Sequence, residues 1–397
     1  MTQTTVSQVL ADLLEASHLV SPDELVPLIV DHARRLGATD ATIYLSDYEQ
    51  NVLIPVPDRA ERPDQQLAID ATIAGRAFRL LEVQQSTAGT AGTRVWVPLL
   101  DGTERLGVLA LDYDPGDEWS GQEVRSFASL VAQLVMTKTA YGDTFERARR
   151  RQTMSLTAEL AWQLLPPLTF GTDRIVISGA LVPPYNLGGD TFDYGVDGDT
   201  ARMAIFDAMG HGLEAGLLAT VAVAAYRSSR RRRLSLEDTA FAVDLAITTQ
   251  FGLEHFVTAV LAELDMASGR LRWCVAGHPR PLLLRSGKIV KTLEGNVGLP
   301  LGLGGPAVPA EESLEPGDQV LLFTDGVIEA RSADGEFFGL DRLEDLTRRA
   351  SASNNPPPEM MRQLMHAILT HQAGDLQDDA TIVLVQWQGA GSEQLKF

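Results

Sequence analysis

The sequence predicts an α+β protein built from mixed units, on three observations: its length, an apolar period that switches repeatedly along the chain, and aspartates at the ends of apolar runs. At 397 residues the chain has room for two or three domains of about 150 residues each. Helical and strand-like segments alternate throughout, so neither an all-α nor an all-β class fits.

Hydrophobic residues make up 45% and charged residues 22%, the balance of a folded protein. The formal charge of −20 repels a phosphate backbone. The two basic clusters, Arg147 to Arg151 and Arg230 to Arg233, are short and read as solvated helix faces or ends, so no nucleic-acid partner is expected. Cys274 stands alone, which excludes an internal disulfide and a cysteine-rich zinc site and suits a reducing compartment. Met1 to Leu10 lack the basic-then-apolar order of a signal peptide, and the run Leu217 to Tyr226 is too short to span a bilayer. A cytoplasmic chain with no membrane association is expected.

In the first third, apolar residues recur at helical spacing from Val6 to Leu36, interrupted at Ser21-Pro22, where Ser21 can cap a second helix. Ala41 to Leu45 and Val52 to Ile54 read as paired strands, and Arg94 to Leu100 with Leu106 to Leu111 flank an Asp101-Gly102 turn. Ala71 to Phe78 reads as a short helix, and a long one opens after Ser120 as its cap. Through "IAGRAF", "VWVPLLDGTERLGVLALDY" and the closing helix, this region resembles a GAF domain, with a PAS-like sensor as the related alternative. The resemblance implies an antiparallel sheet with flanking helices and a small ligand or protein partner whose identity the sequence does not give.

The closing helix is expected to continue. Phe127, Val131, Leu134, Tyr141 and Phe145 keep a heptad-like seam that resumes at Leu156, Leu160 and Leu164 and stops at Pro166-Pro167, with Gly142 weakening its middle. Two readings stand side by side, a helix packed on its own domain and a parallel homodimer stalk. The expected organisation is a sensor at 1–141, a helical linker at 142–168, a catalytic domain at 169–388 and a loose tail at 389–397.

Beyond Pro167 the strand candidates are Ile175 to Leu181, Ala201 to Phe206, Phe256 to Leu264, Leu271 to Val275, Pro281 to Leu284, Gln319 to Phe323 and Thr381 to Trp387. Helical stretches fall near Leu213 to Ser228, Ser235 to Gln250, Leu340 to Ala350 and Pro358 to Gln372. Against this framework four acids stand out. Asp207 and Asp325 each follow an apolar strand, Asp378 precedes one, and Asp190 lies in a Gly188-Gly189-Asp190 turn. Taken singly each is ordinary turn chemistry. Gathered in one cleft their repulsion would call for divalent cations, and an all-oxygen donor set suits Mg²⁺ or Mn²⁺ rather than zinc.

The ordered set "GGDTFDYG", "IFDAMGHG", "LLFTDGVIEA" and "DDATIVLV", with "AWQLLPPL", "VAGHPRPLLLR", "GLPLGL" and "DGEFFGLDRL" between and around them, resembles the metal-dependent PPM phosphatases in their bacterial SpoIIE-like branch, over about Ala161 to Trp387. The resemblance implies an αββα sandwich and a serine/threonine phosphatase that uses two Mn²⁺ or Mg²⁺ ions to activate water, without a phospho-enzyme. In it Asp207 bridges both metals with the Ala208 carbonyl as a further ligand, Asp325 and Asp378 hold the second metal, and Asp190 binds the first directly or through water. Asp207 and Asp190 are thus the catalytic candidates. Gly210 and Gly212 are expected to let the backbone pass close to the site and Gly326 to permit the turn after Asp325. The implied substrate is a phosphorylated STAS-type anti-sigma-factor antagonist.

Two positions depart from the branch and its relatives: Val275 stands where Asn is usual, and Met209 where animal and plant relatives carry a histidine general acid. His211 adjoins the metal loop but reads first as structural or exposed, and His278 as structural. Asp193 and Asp379 read as acids that orient water beside the ligands. Two alternatives are carried: a phosphoprotein-binding scaffold without activity, and a nucleotide cyclase suggested by the GGDEF-like Gly188 to Phe192, which would leave the acids near the C-terminus unexplained.

Overall fold

A computed structural model describes residues 5–57, 66–89, 92–186, 188–353, 355–372 and 378–389, so most of the predicted tail lies outside the described residues. The chain divides into two compact units that meet at Thr153 and Met154.

The first unit runs α1 (Val6–Ser17), α2 (Pro22–Arg35), β1 (Asp40–Ser46), β2 (Val52–Pro55), β3 (Leu67–Ala68), α3 (Ile73–Leu80), β4 (Gln84–Ala88), β5 (Gly92–Asp101), β6 (Glu104–Tyr113), α4 (Gly121–Thr139) and α5 (Thr144–Arg149). Its strands form one sheet in the order β3-β2-β1-β6-β5-β4, antiparallel at each pairing. Strand alternation divides the side chains between two cores. Ile43, Leu45, Val95, Val97 and Leu109 meet α1, α2, α4 and α5 on one face, and Tyr44, Trp96, Val108 and Ala110 meet Phe78 of α3 on the other. The expected caps form: Ser21 donates from its N–H and hydroxyl to Glu24, and the Ser120 hydroxyl accepts from the Glu123 N–H.

The continuous linker helix does not. α4 ends at Thr139, α5 is a separate helix whose Phe145 joins the core of the first unit, and the second unit begins with its own α6 (Leu156–Leu164). The heptad-like spacing runs across three separate helices, because the segments Ala140 to Asp143 and Arg150 to Ser155 break them apart; Phe127, Val131, Leu134 and Phe145 are buried in the first unit, whereas Tyr141 and Leu156 are exposed.

The second unit continues with β7 (Thr169–Gly171), β8 (Ile175–Val182), β9 (Asp190–Asp197), β10 (Thr200–Ala208), α7 (Gly212–Arg231), α8 (Leu236–Phe251), β11 (Val257–Asp265), β12 (Arg270–Ala276), β13 (Leu282–Arg285), β14 (Lys288–Thr292), β15 (Val297–Gly298), β16 (Ala310–Ser313), β17 (Gln319–Phe323), α9 (Asp325–Ile328), α10 (Gly339–Ala352), α11 (Pro357–His371) and β18 (Ala380–Trp387). One sheet has the order β15-β12-β11-β10-β9 with β16 also on β12, and the other β14-β13-β17-β18-β8-β7. Phe206, Ala259, Leu261 and Cys274 turn outward to Leu218 and Ala222 of α7 and Val243 and Ile247 of α8. Phe323, Ile382 and Leu384 turn outward to α10 and α11 through Leu343, Leu364 and Ile368. The opposite faces, including Ile205, Val260, Val275, Leu322 and Val383, are buried as the layer between the sheets. The result is four layers, helix, sheet, sheet, helix. No helix among the described residues is long and apolar enough to cross a membrane.

Candidate active site

Asp207 is the penultimate residue of β10, and the antiparallel register puts Asp190 opposite it on β9 and Thr258 opposite it on β11. Asp190 therefore opens a strand and does not sit in a turn as expected. Opposed residues in such a ladder share a face with Cβ atoms about 4.5–5.5 Å apart, so the pleat that turns Ile205 into the inter-sheet layer also turns Asp207, Asp190 and Thr258 to its rim.

The other sheet supplies the remaining acids from two adjacent strands. β17 ends at Phe323, Thr324 is fully buried, and Asp325 opens the single turn of α9. Asp378 and Asp379 precede β18, Asp378 exposed and Asp379 half-buried. Thr324 joins the sheets: its hydroxyl donates to Asp190 Oδ2 at 2.7 Å and accepts from the Thr381 N–H at 3.0 Å. Asp379 takes the Gly188 N–H and fixes the loop that enters β9.

Close approach, more than turn conformation, explains the glycines here. A Cβ on Gly189 would lie 2.4 Å from the Ala208 carbonyl oxygen, and one on Gly326 would lie 1.8 Å from the Asp379 carbonyl oxygen. Gly326 is helical, so the expected turn is not its role; it lets α9 pass against the segment carrying Asp378 and Asp379. Gly210 and Gly212 show the converse: their φ values are +88° and +70° and open space surrounds them, so backbone conformation, not proximity, requires glycine.

The carboxylates share one field. Burial raises Asp190 well above its ordinary value, and the charges of Asp207 and Asp379 raise it further. Burial, then Asp325 and Asp378, pushes Asp207 up to about 7. Asp325 is raised by burial and by Asp378, and Asp379 by burial to about 6 against the backbone N–H groups it accepts. No cationic side chain is among the leading influences on these four. Oxygen donors with uncompensated negative charge fit hard divalent ions, although no three of the acids among the described residues stand together as a finished cage.

Two expected water-orienting acids have different fates. Asp379 adjoins the cluster but spends its carboxylate on the Gly188 loop. Asp193 is not at the site: three residues along β9 it faces α7, where it binds Arg227 at 2.8 Å and Arg230 at 3.1 Å. His211 is exposed at the N-cap of α7, and Val275 is buried on the inter-sheet face, across from Val260. His278 is buried, its Nδ1 lies 2.7 Å from the Thr258 hydroxyl, and burial pushes it down to about 3. Sequence reasoning missed Thr258, Thr324 and Thr381; threonine is an ordinary strand residue, and only strand register separates these three from the rest.

The αββα sandwich with strand-end carboxylates at one rim is the arrangement that the SpoIIE-like resemblance implies. Residues 197–388 match the family model described as Stage II sporulation protein E (SpoIIE), and the second unit is a SpoIIE/PP2C-type domain. Protein IcfG of Synechocystis sp. is 33% identical over 144 residues, covering 35% of this chain and 22% of that protein. Phosphoserine phosphatase RsbU of Bacillus subtilis is 24% identical over 217 residues, covering 54% of this chain and 64% of RsbU. The chain thus spans less than two thirds of either relative. The SiaA-PP2C domain of Pseudomonas aeruginosa shares the fold with a TM-score of 0.50 at 22% identity, over 58% of this chain and 94% of that domain.

Proposed function

We propose that this chain hydrolyses phosphoserine or phosphothreonine in a protein substrate with two Mn²⁺ or Mg²⁺ ions at the rim of the second unit. The observation that carries the reading is the Asp190–Asp207 pair, two adjacent carboxyls whose charge is met chiefly by other acids and, among the described residues, by no cationic side chain of comparable influence. Asp207 with the Ala208 carbonyl, Asp190, Asp325 and Asp378 are the residues that would hold the ions, and Asp207 and Asp190 the ones nearest the chemistry. When bound, such a pair lowers the pKa of a water and clamps a phosphoryl group for in-line displacement.

The protein's own part is orientation. Thr324 and the Gly188 loop fix Asp190, the Gly189 approach fixes the Ala208 carbonyl, and α9 fixes Asp325 against the β18 entry. Met209 offers no proton to the departing serine.

For the substrate we propose a phosphorylated STAS-type anti-sigma-factor antagonist in the cytoplasm; support comes from the SpoIIE-like motifs and from likeness to a phosphoserine phosphatase. The first unit, with its six-stranded antiparallel sheet between α3 and the helices α1, α2, α4 and α5, is proposed as a GAF-like sensor that controls the second. The test is phosphate release by the full chain from p-nitrophenyl phosphate and from phosphorylated STAS proteins with Mn²⁺. Release that disappears in Asp325→Asn is expected. No release at any metal concentration would favour a binding scaffold, and GTP turnover a cyclase.

A further inference from the structure

We propose that Thr258 and His278 are positioning residues for Asp207, a relay that holds one carboxylate oxygen in place and leaves the other free for divalent cations. The inference rests on the phosphatase reading above. Thr258 is opposite Asp207 in the β10–β11 register, its Oγ1 donates to Asp207 Oδ2 at 3.3 Å, and His278 Nδ1 lies 2.7 Å from the same Oγ1.

A hydroxyl has one proton and two lone pairs, and a carboxylate only accepts. With the threonine proton committed to Asp207, the 2.7 Å contact requires His278 to donate from Nδ1–H. The ring also meets the backbone of Phe323, whose hydrogen bond acts on it against the effect of burial, so His278 is held between Thr258 and Phe323. The backbone holds the ring there. His278 is 4% exposed, and it follows Gly277, whose φ is +64° and whose Cβ would lie 2.6 Å from Pro300 Cγ. Pro279 comes next. Asp190 receives a matching hydroxyl from Thr324, but that arm ends on the Thr381 backbone, whereas the Asp207 arm ends on a side chain that substitution can remove.

The experiment measures Mn²⁺ binding to the full chain by calorimetry, alongside KM and kcat for p-nitrophenyl phosphate. Thr258→Val and His278→Leu should each weaken Mn²⁺ binding about 10- to 100-fold, while Thr258→Ser and His278→Asn, which keep a donor, should stay within about threefold of the parent. The double variant should bind no more weakly than Thr258→Val, since either change breaks the same arm. Parental Mn²⁺ affinity in Thr258→Val and His278→Leu overturns the proposal, as does a serine variant as weak as the valine one; the serine variant keeps the test decisive if valine prevents folding. A parent chain that binds no Mn²⁺ overturns the phosphatase reading and this inference together. Tight parental binding retained by Thr258→Val overturns this inference alone.

Discussion

Asp190 and Asp207 stand opposite one another on adjacent antiparallel strands, two carboxyl groups on the same face with no cationic side chain among the leading influences on either from the described residues. Their folded-state pKa values lie above the ordinary 3.8, Asp207 at about 7, with Asp379 raised to about 6 nearby. A carboxyl raised by folding favours the folded state while protonated. That contribution is complete below its ordinary pKa and is lost as pH rises through the folded value. In chelator, the second unit should therefore lose stability from about pH 4 to about pH 7.

Divalent cations bind the ionised form, so their stabilisation should grow over the same window. At a hundredfold excess over Kd it amounts to about 2.7 kcal/mol, or about 5–10 °C in Tm for a unit of this size. Thermal unfolding across the window, with EDTA and with Mn²⁺, checks both slopes. A Mn²⁺ increment independent of pH would contradict them.

Asn at position 207 keeps the shape and removes the charge. Asp207→Asn should lower phosphate release at least about 100-fold, beyond what loss of an outer partner costs, while leaving metal-free stability at pH 8 equal or higher because one repelling carboxylate is gone. Asp325→Asn should act alike on turnover. The two assays diverge only if these acids carry charge for a cation: a metal-free Tm that falls as far as activity would assign them a structural role.

Asp207, Asp325 and Asp378 could be singled out in the sequence because each borders an apolar run, and Asp190 by its Gly188-Gly189-Asp190 turn; singly each is ordinary turn chemistry, and only their ordered set stood out. Most long strands and helices followed from period alone, with β17 matching Gln319 to Phe323 residue for residue. β9 escaped because Asp190, Asp193, Gly195 and Asp197 break its alternation; only pairing with β10 and β18-side packing makes it a strand. The continuous linker helix failed for the opposite reason, since a heptad-like spacing is shared by separate amphipathic helices and does not report where the backbone leaves the helix. Register, which brings Thr258 to Asp207 and Thr324 to Asp190, is a tertiary property with no local signature.

Gly326→Ala tests close approach. Its Cβ would sit 1.8 Å from the Asp379 carbonyl oxygen, so backbone must move, at a cost of about 1–3 kcal/mol. The segment that moves carries Asp378 and Asp379, so activity should fall with Tm. Gly198→Ala is the comparison: φ is +59° in open space at the β9–β10 turn, costing about 1 kcal/mol from backbone conformation alone. Its phosphate release should match the parent at temperatures where both are folded. Equal losses of activity would mean that the Gly326 approach does not govern the site.

Asp193 separates the neighbourhood of the site in sequence from its neighbourhood in space. It lies three residues from Asp190, yet it is on the helix-facing side of β9 opposite Ala204, and two arginines of α7 converge on its buried carboxylate. Removing one partner of a fully buried ion pair costs about 3–5 kcal/mol. Arg227 and Arg230 retain 25% and 15% side-chain exposure, so water recovers part of their solvation and Asp193→Asn should cost about 2–3 kcal/mol. Tm should fall by about 4–12 °C. The Mn²⁺ Kd, by contrast, should be unchanged, because the lost charge faces α7 and not the carboxylate rim. Calorimetric titration of Asp193→Asn well below its Tm measures this, and a weakened Mn²⁺ affinity there would make α7 part of the metal site's support through Asp193.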